Sequence, residues 1–359
     1  MRLSVVDQSP IPAGFTSADA LHNSIDLARF TERLGYTRFW IAEHHATEAL
    51  ASPAPEILIT RVAAETSRIR VGSGGVLLPH YSALKVAEVF RMLHALYPGR
   101  IDLGVGRAPG SGRLEAYALQ RDREAPAEVD DFPQKLVEML AFLNQSFTPD
   151  HPFSRIKVSP AMPGGPEVWL LGSSGWSADA AAELSLPYAA AHFIGPGATR
   201  RSIETYRRLY RPSEARPAPE ALIAIGAICA DTEAEAQRLY SSQRLRRMLR
   251  DQGVDERGAI PTPEDALARL AELPDALPRA EGEWPRVVVG DVEQVRDRLT
   301  QMATALQVEE LMIITVVHDH EARKRSYALL AEAFGLESSP DQRSRNRPAI
   351  PRGADANAL

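Results

Sequence analysis

Between residues 3 and 334 the chain repeats one pattern, a short apolar run followed by a longer amphipathic stretch. The runs are LSVVD (3–7), RFWIA (38–42), IRVGSGG (69–75), IDLGV (101–105), VWLLG (168–172), YAAAHF (188–193), LIAIGAICA (222–230) and ELMIITVV (310–317). Short runs of this kind suit strands, whereas the stretches between them carry apolar residues at helical spacing. Leu21, Ile25 and Ala28 share one face over 19–34, and Val86, Val89, Phe90, Leu93 and Leu96 form a stripe over 82–97 that Gly99 stops. Further helices are expected at 53–66, where Pro53 and Pro55 suit a helix start, and at 131–143, 175–184 and 321–334. Crossovers long enough to hold a helix imply parallel strands. Eight such units in roughly 330 residues predict a (β/α)8 TIM barrel, with a doubly wound sheet plus a smaller domain as the rival.

Two segments depart from the repeat. Residues 242–286 are charged and proline-bearing, which predicts an insertion or mobile lid before the last unit. Residues 337–359 have the composition of a disordered tail, leaving 1–336 as the barrel domain.

Composition excludes more than it assigns. Apolar residues make up 44% and charged residues 25%, ordinary for a globular protein, and the net charge of −6 argues against a nucleic-acid partner. The single cysteine, Cys229, lies in an apolar run and reads as a buried thiol. No basic leader and no apolar window of membrane-spanning length is visible, so the cytoplasm is the expected compartment and no membrane contact is expected.

In a barrel of this kind the chemistry sits at the carboxyl ends of the strands. There the second run ends in Glu43-His44-His45. Alternation along a strand predicts that one histidine faces the mouth and the other the helices. Gly72, Gly74 and Gly75 follow the third strand but fail as a dinucleotide fingerprint, because Leu77 stands where the last glycine belongs. They suggest instead a flat ligand or unusual backbone geometry close by. After the fourth strand, Gly104, Gly106 and Gly110 surround Arg107, whose guanidinium is shaped to fork a phosphate. Ser173 and Ser174 precede a helix whose free N–H groups attract an anion, although simple capping explains one serine as well. The HDH triplet (318–320) offers two histidines in metal-hydrolase spacing, a geometry lost if a helix begins at His320. No metal is therefore expected.

AEHH (42–45), VGSGGVLLP (71–79), LYPGRIDLGVGRAPGS (96–111) and VWLLGSS (168–174), in this order, resemble the bacterial luciferase-like flavin-dependent monooxygenases, from Leu3 to about Phe334. The resemblance implies a (β/α)8 barrel holding FMN at its carboxyl rim. It makes His44 the active-site histidine, Gly74 and Gly75 a pair joined by a cis peptide beneath the flavin ring, and Arg107 the phosphate arginine. Ser173, Ser174 and Ser177 become phosphate-loop positions. His192, where luciferase has a tryptophan, would with Phe193 line a more polar substrate pocket. Reduced FMN from a separate flavin reductase, O2, a small organic substrate and a homodimer complete the expectation. Glu43 is expected to orient the His44 ring or cap the following helix. A deazaflavin-dependent hydride transfer and a non-catalytic partner subunit are the alternatives.

Overall fold

A computed structural model describes residues 1–108, 113–119, 130–254, 258–274 and 283–337. Its strands are β1 (Arg2–Asp7), β2 (Arg38–Ile41), β3 (Arg70–Leu77), β4 (Ile101–Gly106), β5 (Glu167–Gly172), β6 (Tyr188–Ala191), β7 (Ala221–Cys229), β8 (Val287–Gly290) and β9 (Glu310–Ile314). The helices are α1 (Ser17–Arg33), α2 (Pro55–Glu65), α3 (Ala83–Leu96), α4 (Arg113–Leu119), α5 (Phe132–Asn144), α6 (Gly175–Glu183), α7 (Pro196–Leu209), α8 (Glu233–Asp251), α9 (Pro263–Leu270), α10 (Val292–Leu306) and α11 (His320–Ala333).

All strand pairings are parallel, and β1 to β7 with β9 close into an eight-stranded (β/α)8 barrel. The eight apolar runs of the sequence are these eight strands. The doubly wound sheet is ruled out by closure. Local signals set the helix ends: Thr16 and Asp19 form a capping box on α1, Asp291 and Gln294 another on α10, and Pro55 opens α2. Gly99, at φ +76°, turns the chain after α3.

β8 is an addition that the apolar pattern did not disclose. Among the described residues it pairs only with β7, from Gly226 to Cys229, just past the stretch Ala221–Ala224 that pairs with β6. Glu220 bonds Tyr188 of β6 and Gly226 bonds Arg286, and residues of like parity in a strand address the same edge. β8 therefore takes over from β6 along that edge and raises the wall at the rim.

Alternation sorts each strand between two cores. Odd β2 residues Phe39 and Ile41 join the outer core against the helices, while Trp40 and Ala42 join an inner cluster with Val6, Trp169, Leu222, Ala224 and Met312. Below that cluster, at the amino end, the interior is ionic. The Arg38 guanidinium bonds Glu310 (3.1 Å), Asp102 (2.9 Å) and Glu167 (3.2 Å) and lies 4.7 Å from the Trp169 ring centre. Arg70 also pairs with Asp102, and the Trp40 indole N–H donates to the same carboxylate.

The segment 242–286 is not a free-standing insertion. Residues 242–251 are the second half of α8, and 263–270 are α9, packed on it through Leu245, Leu249 and Ala266. The stretches 255–257 and 275–282 lie outside the described residues, as does the tail from 338. Leu336 still packs against the outer core.

Candidate functional site

At the carboxyl end of β2 the parity continues. Glu43 turns outward and His44 falls on the side of Trp40 and Ala42, toward the mouth. His45 is held on the outer side through Glu43, and the role foreseen for Glu43 is corrected. Its carboxylate accepts from the His45 ring (2.7 Å), the Tyr81 hydroxyl (2.8 Å) and the Leu77 N–H (3.0 Å). It positions His45 and ties β2 to the end of β3, and it makes no bond to His44. His44 is held by its backbone, whose N–H donates to Ser52 O, and its Nδ1 is buried without a hydrogen-bond partner.

Burial pushes the His44 imidazole down to about 4, helped by the charges of His45 and Arg250. The ring is therefore neutral at neutral pH. A neutral imidazole keeps one N–H donor and one acceptor nitrogen, and the lowered value makes it a weaker base than an ordinary histidine.

On β3, Gly74 and Gly75 are joined by a cis peptide, and the register with β4 slips between Gly74 and Val76. A Cβ on Gly74 would lie 3.0 Å from both Trp40 Cβ and Val6 Cγ2. A side chain there would press on the inner cluster, against which the backbone lies closely. With Gly104 opposite Gly74, this side of the mouth is lined by backbone, with the Leu171 side chain against Gly75 and Gly104.

Arg107 follows β4 and reaches the start of α6, its guanidinium 5.1 Å from the Trp176 ring centre. An exposed contact of 3.3 Å to Asp130 is its ion pair. Ser174 is the N-cap of α6, yet its hydroxyl makes no cap bond, so both hydroxyl and first-turn N–H groups remain open. Ser173 is half-buried, and Ser177 is buried against Gly172, where any Cβ would collide with its hydroxyl. The structure thus brings Arg107 and the serine-bearing turn together, as expected from two separate strand ends.

His192 and Phe193 part company. His192 is fully buried and spends both ring nitrogens, Nδ1 on Thr199 of α7 (2.9 Å) and Nε2 on the Pro285 carbonyl (3.0 Å). It faces the helix layer and anchors the approach to β8, so it does not make the pocket more polar. Phe193 packs on the inner cluster with Leu171. The HDH pair also separates: His318 bonds Ala13 O and packs against Phe15, while His320 opens α11 and bonds Asp26. The Asp26–His320–Glu321 group is already served by the Lys324 ammonium, 3.0 Å from Asp26 and 2.9 Å from Glu321.

The roof was missed. Nineteen residues of α8, about 28 Å at 1.5 Å per residue, run from the β7–β8 side of the rim toward β2. Ala236, Leu239 and Tyr240 pack on Ile228, Val287, Val289 and Val317 at one end, and Arg250 acts on His44 at the other. Ile260, 2% exposed, drops into the inner cluster and exchanges backbone bonds with Ile11 and Ala13. Residues 9–11 in turn bond 49–51. The basic run RLRRMLRD (244–251) was the available signal for this face. A polar cleft of about 330 Å³ between Glu32, Tyr36, Thr37 and Arg68 lies at the opposite, amino-terminal end and contains none of these groups.

Residues 1–309 match the family model described as luciferase-like monooxygenase. The chain belongs to that family. The uncharacterized protein YwcH of Bacillus subtilis is 42% identical, over 92% of this chain and 98% of its own. The N-acetyl-S-alkylcysteine monooxygenase of the same organism is 36% identical, over 93% and 98%. Among solved structures, apo-MsnO8 superposes with a TM-score of 0.86 at 50% identity, over 94% of this chain and 99% of that one. The oxygenating constituent of 3,6-diketocamphane monooxygenase from Pseudomonas putida, in complex with FMN, shares the fold alone at 20% identity, with a TM-score of 0.69 over 92% and 97%. An F420-dependent secondary alcohol dehydrogenase does so at 13%, with a TM-score of 0.63 over 92% and 98%. Among the described residues no helix is long and apolar enough to cross a membrane.

Proposed function

We propose that this luciferase-like monooxygenase uses reduced FMN and O2 to oxygenate a small organic substrate, with a separate flavin reductase supplying the FMN. The observation that carries the reading is the convergence of Arg107 with the uncapped, serine-bearing start of α6, at the same carboxyl rim as the Gly74–Gly75 backbone and His44. A phosphate would replace Asp130 on Arg107 and take the open hydroxyl of Ser174 and the first-turn N–H groups. A flat ring system fits over Gly74 and Gly75. Reduced FMN, when bound, supplies the two electrons that let one atom of O2 enter the substrate and the other leave as water.

The chain's own groups do the rest. The glycine floor and the inner cluster hold the ring, and α8 with Ile260 keeps water from the mouth. His44, buried and neutral with Nδ1 unpartnered, offers that atom as a weak base, one that gives a proton back readily. A homodimer is part of this reading. The F420-dependent relative in the same fold supports a second one, hydride transfer with a deazaflavin, which would place a different phosphate-bearing coenzyme on the same floor.

Arg107→Ala separates phosphate recognition from ring recognition. It should weaken FMN by about 1.5–3 kcal/mol and leave riboflavin binding unchanged, measured by anaerobic titration of the reduced flavins. Equal losses for both would remove Arg107 from the phosphate site, and tighter binding of reduced deazaflavin than of reduced FMN would favour the second reading.

A further inference from the structure

We propose that Glu43 is a positioning residue for the flavin ring: its carboxylate grips the exit of β3 and so fixes the Gly74–Gly75 backbone against which the ring would lie. The proposal rests on the monooxygenase reading and adds to it a residue that touches neither cofactor nor substrate.

The first observation is a gap in the barrel wall. β2 and β3 pair from Arg38 opposite Arg70 to Ile41 opposite Ser73, and β2 ends there. β3 continues for four more residues, to Leu77. On its other edge this extension keeps β4, with Gly74 opposite Gly104, Val76 opposite Val105 and Leu77 opposite Gly106. Gly75 is the extra residue at which that register shifts. Toward β2 the extension has lost its neighbouring strand, just where the two glycines lie.

The second is what fills the gap. Glu43 Oε2 accepts the Leu77 N–H at 3.0 Å, a bond that a strand carbonyl would otherwise make. Glu43 Oε1 accepts the Tyr81 hydroxyl at 2.8 Å and the His45 ring at 2.7 Å. Leu77 and Tyr81 flank the short 3-10 turn Leu78–His80, so one carboxylate closes both ends of the turn that leads out of β3. The Glu43 side chain is fully buried. Burying a carboxylate is tolerated when its oxygens are filled, and here both are.

The third is how little room the glycines have. A Cβ on Gly75 would lie 2.7 Å from Gly104 O, and one on Gly74 3.0 Å from Trp40 and Val6. β4 and the inner cluster therefore back the segment, and Glu43 closes its remaining side. With Leu77 released, the backbone over 74–77 is free to shift, and a planar ring bound on it loses its fit.

A simpler role for Glu43 is to hold His45 in the outer wall. That role uses Oε1 alone and leaves the Leu77 bond without a purpose. Chemistry separates the two. The Tyr81 hydroxyl can rotate and the His45 ring can change tautomer, so each can accept from an amide, whereas the Leu77 N–H can only donate. Glu43→Gln therefore keeps the Leu77 bond through its carbonyl oxygen, and Glu43→Ala loses it.

The test has two readouts: amide hydrogen exchange at Leu77 in flavin-free protein, followed by NMR, and anaerobic titration with reduced FMN and reduced riboflavin. In wild type the Leu77 amide should be protected. Glu43→Ala should speed its exchange at least about tenfold and weaken both flavins equally, again by at least about tenfold. Arg107→Ala, by contrast, should weaken FMN alone. Glu43→Gln should return both readouts to within about threefold of wild type, and His45→Leu should stay within the same margin. The proposal is overturned by an unprotected Leu77 amide in wild type, by unchanged riboflavin affinity in Glu43→Ala, or by a loss confined to FMN. It is also overturned if Glu43→Gln is no better than Glu43→Ala, or if His45→Leu does equal damage. Should Glu43→Ala not fold, the wild-type, Glu43→Gln and His45→Leu measurements still decide. Wild-type protein that binds neither flavin removes the parent reading and the proposal together, whereas flavin binding with an unprotected Leu77 amide removes the proposal alone.

Discussion

His44 stands just past a strand only four residues long, and parity along that strand decides which way its ring points. That much is legible from Phe39-Trp40-Ile41-Ala42, since their alternation can be read directly. The proton affinity of the ring is not, because its causes arrive from His45 beside it and from Arg250, some two hundred residues along the chain. The folded value of about 4 lies below the ordinary 6.5, so protonation favours the unfolded chain. The contribution of His44 to stability is complete above about 6.5 and is lost as the pH falls toward 4. Histidine ring NMR in flavin-free protein should give a midpoint near 4, rising in Arg250→Gln; a midpoint at 6.5 would mean the ring is solvated. In turnover, His44→Ala should retain FMN affinity but lose about 10²–10⁴-fold in oxygenation rate, with hydrogen peroxide released instead. Unchanged product per flavin oxidised would make the ring a passive part of the wall. Arg107 and the α6 turn were legible for a related reason: residue chemistry at strand ends converges once the barrel closes.

Among the elements, α8 and β8 show where sequence reading fails. The boundary drawn at 242 falls inside α8 because charge and proline content change there while helical contacts do not. β8 is only four residues, VVVG, too short to stand out after a charged, proline-bearing stretch. Its existence depends on the edge of β7 that β6 leaves uncovered, which is a tertiary fact. His192 was misplaced for the same reason, because its partner carbonyl at Pro285 belongs to the approach to that unseen strand. The connection between α8 and α9 is pinned at Ile260, and this gives a prediction at the scale of the roof. Ile260→Ala removes the plug from the inner cluster and should cost the connection about 2–5 kcal/mol of local stability. Limited proteolysis should then cut within residues 252–274 many times faster than in wild type, with the first half of α8 still protected. Equal cutting rates would mean that the roof is held elsewhere.

Across the whole molecule the barrel interior is stratified: an ionic layer around Arg38, an apolar layer around Trp40 and Trp169, and a glycine floor beneath the roof. The strand count and order could be read from the apolar runs. The ionic layer could not, because Arg38, Asp102, Glu167 and Glu310 come from four strands and meet only on closure. Arg38→Ala would leave Asp102 and Glu310 buried without their central partner. It should cost about 3–5 kcal/mol in denaturant unfolding while leaving FMN affinity intact in the folded protein. A loss below 1 kcal/mol would show the layer to be hydrated rather than closed. A closed base has a consequence for traffic. A vessel sealed at one end fills and empties through a single opening, so whatever rests deepest must enter first and leave last. On the proposed reading the organic molecule is a guest admitted over an occupied floor, and its departure has to precede any renewal of that floor.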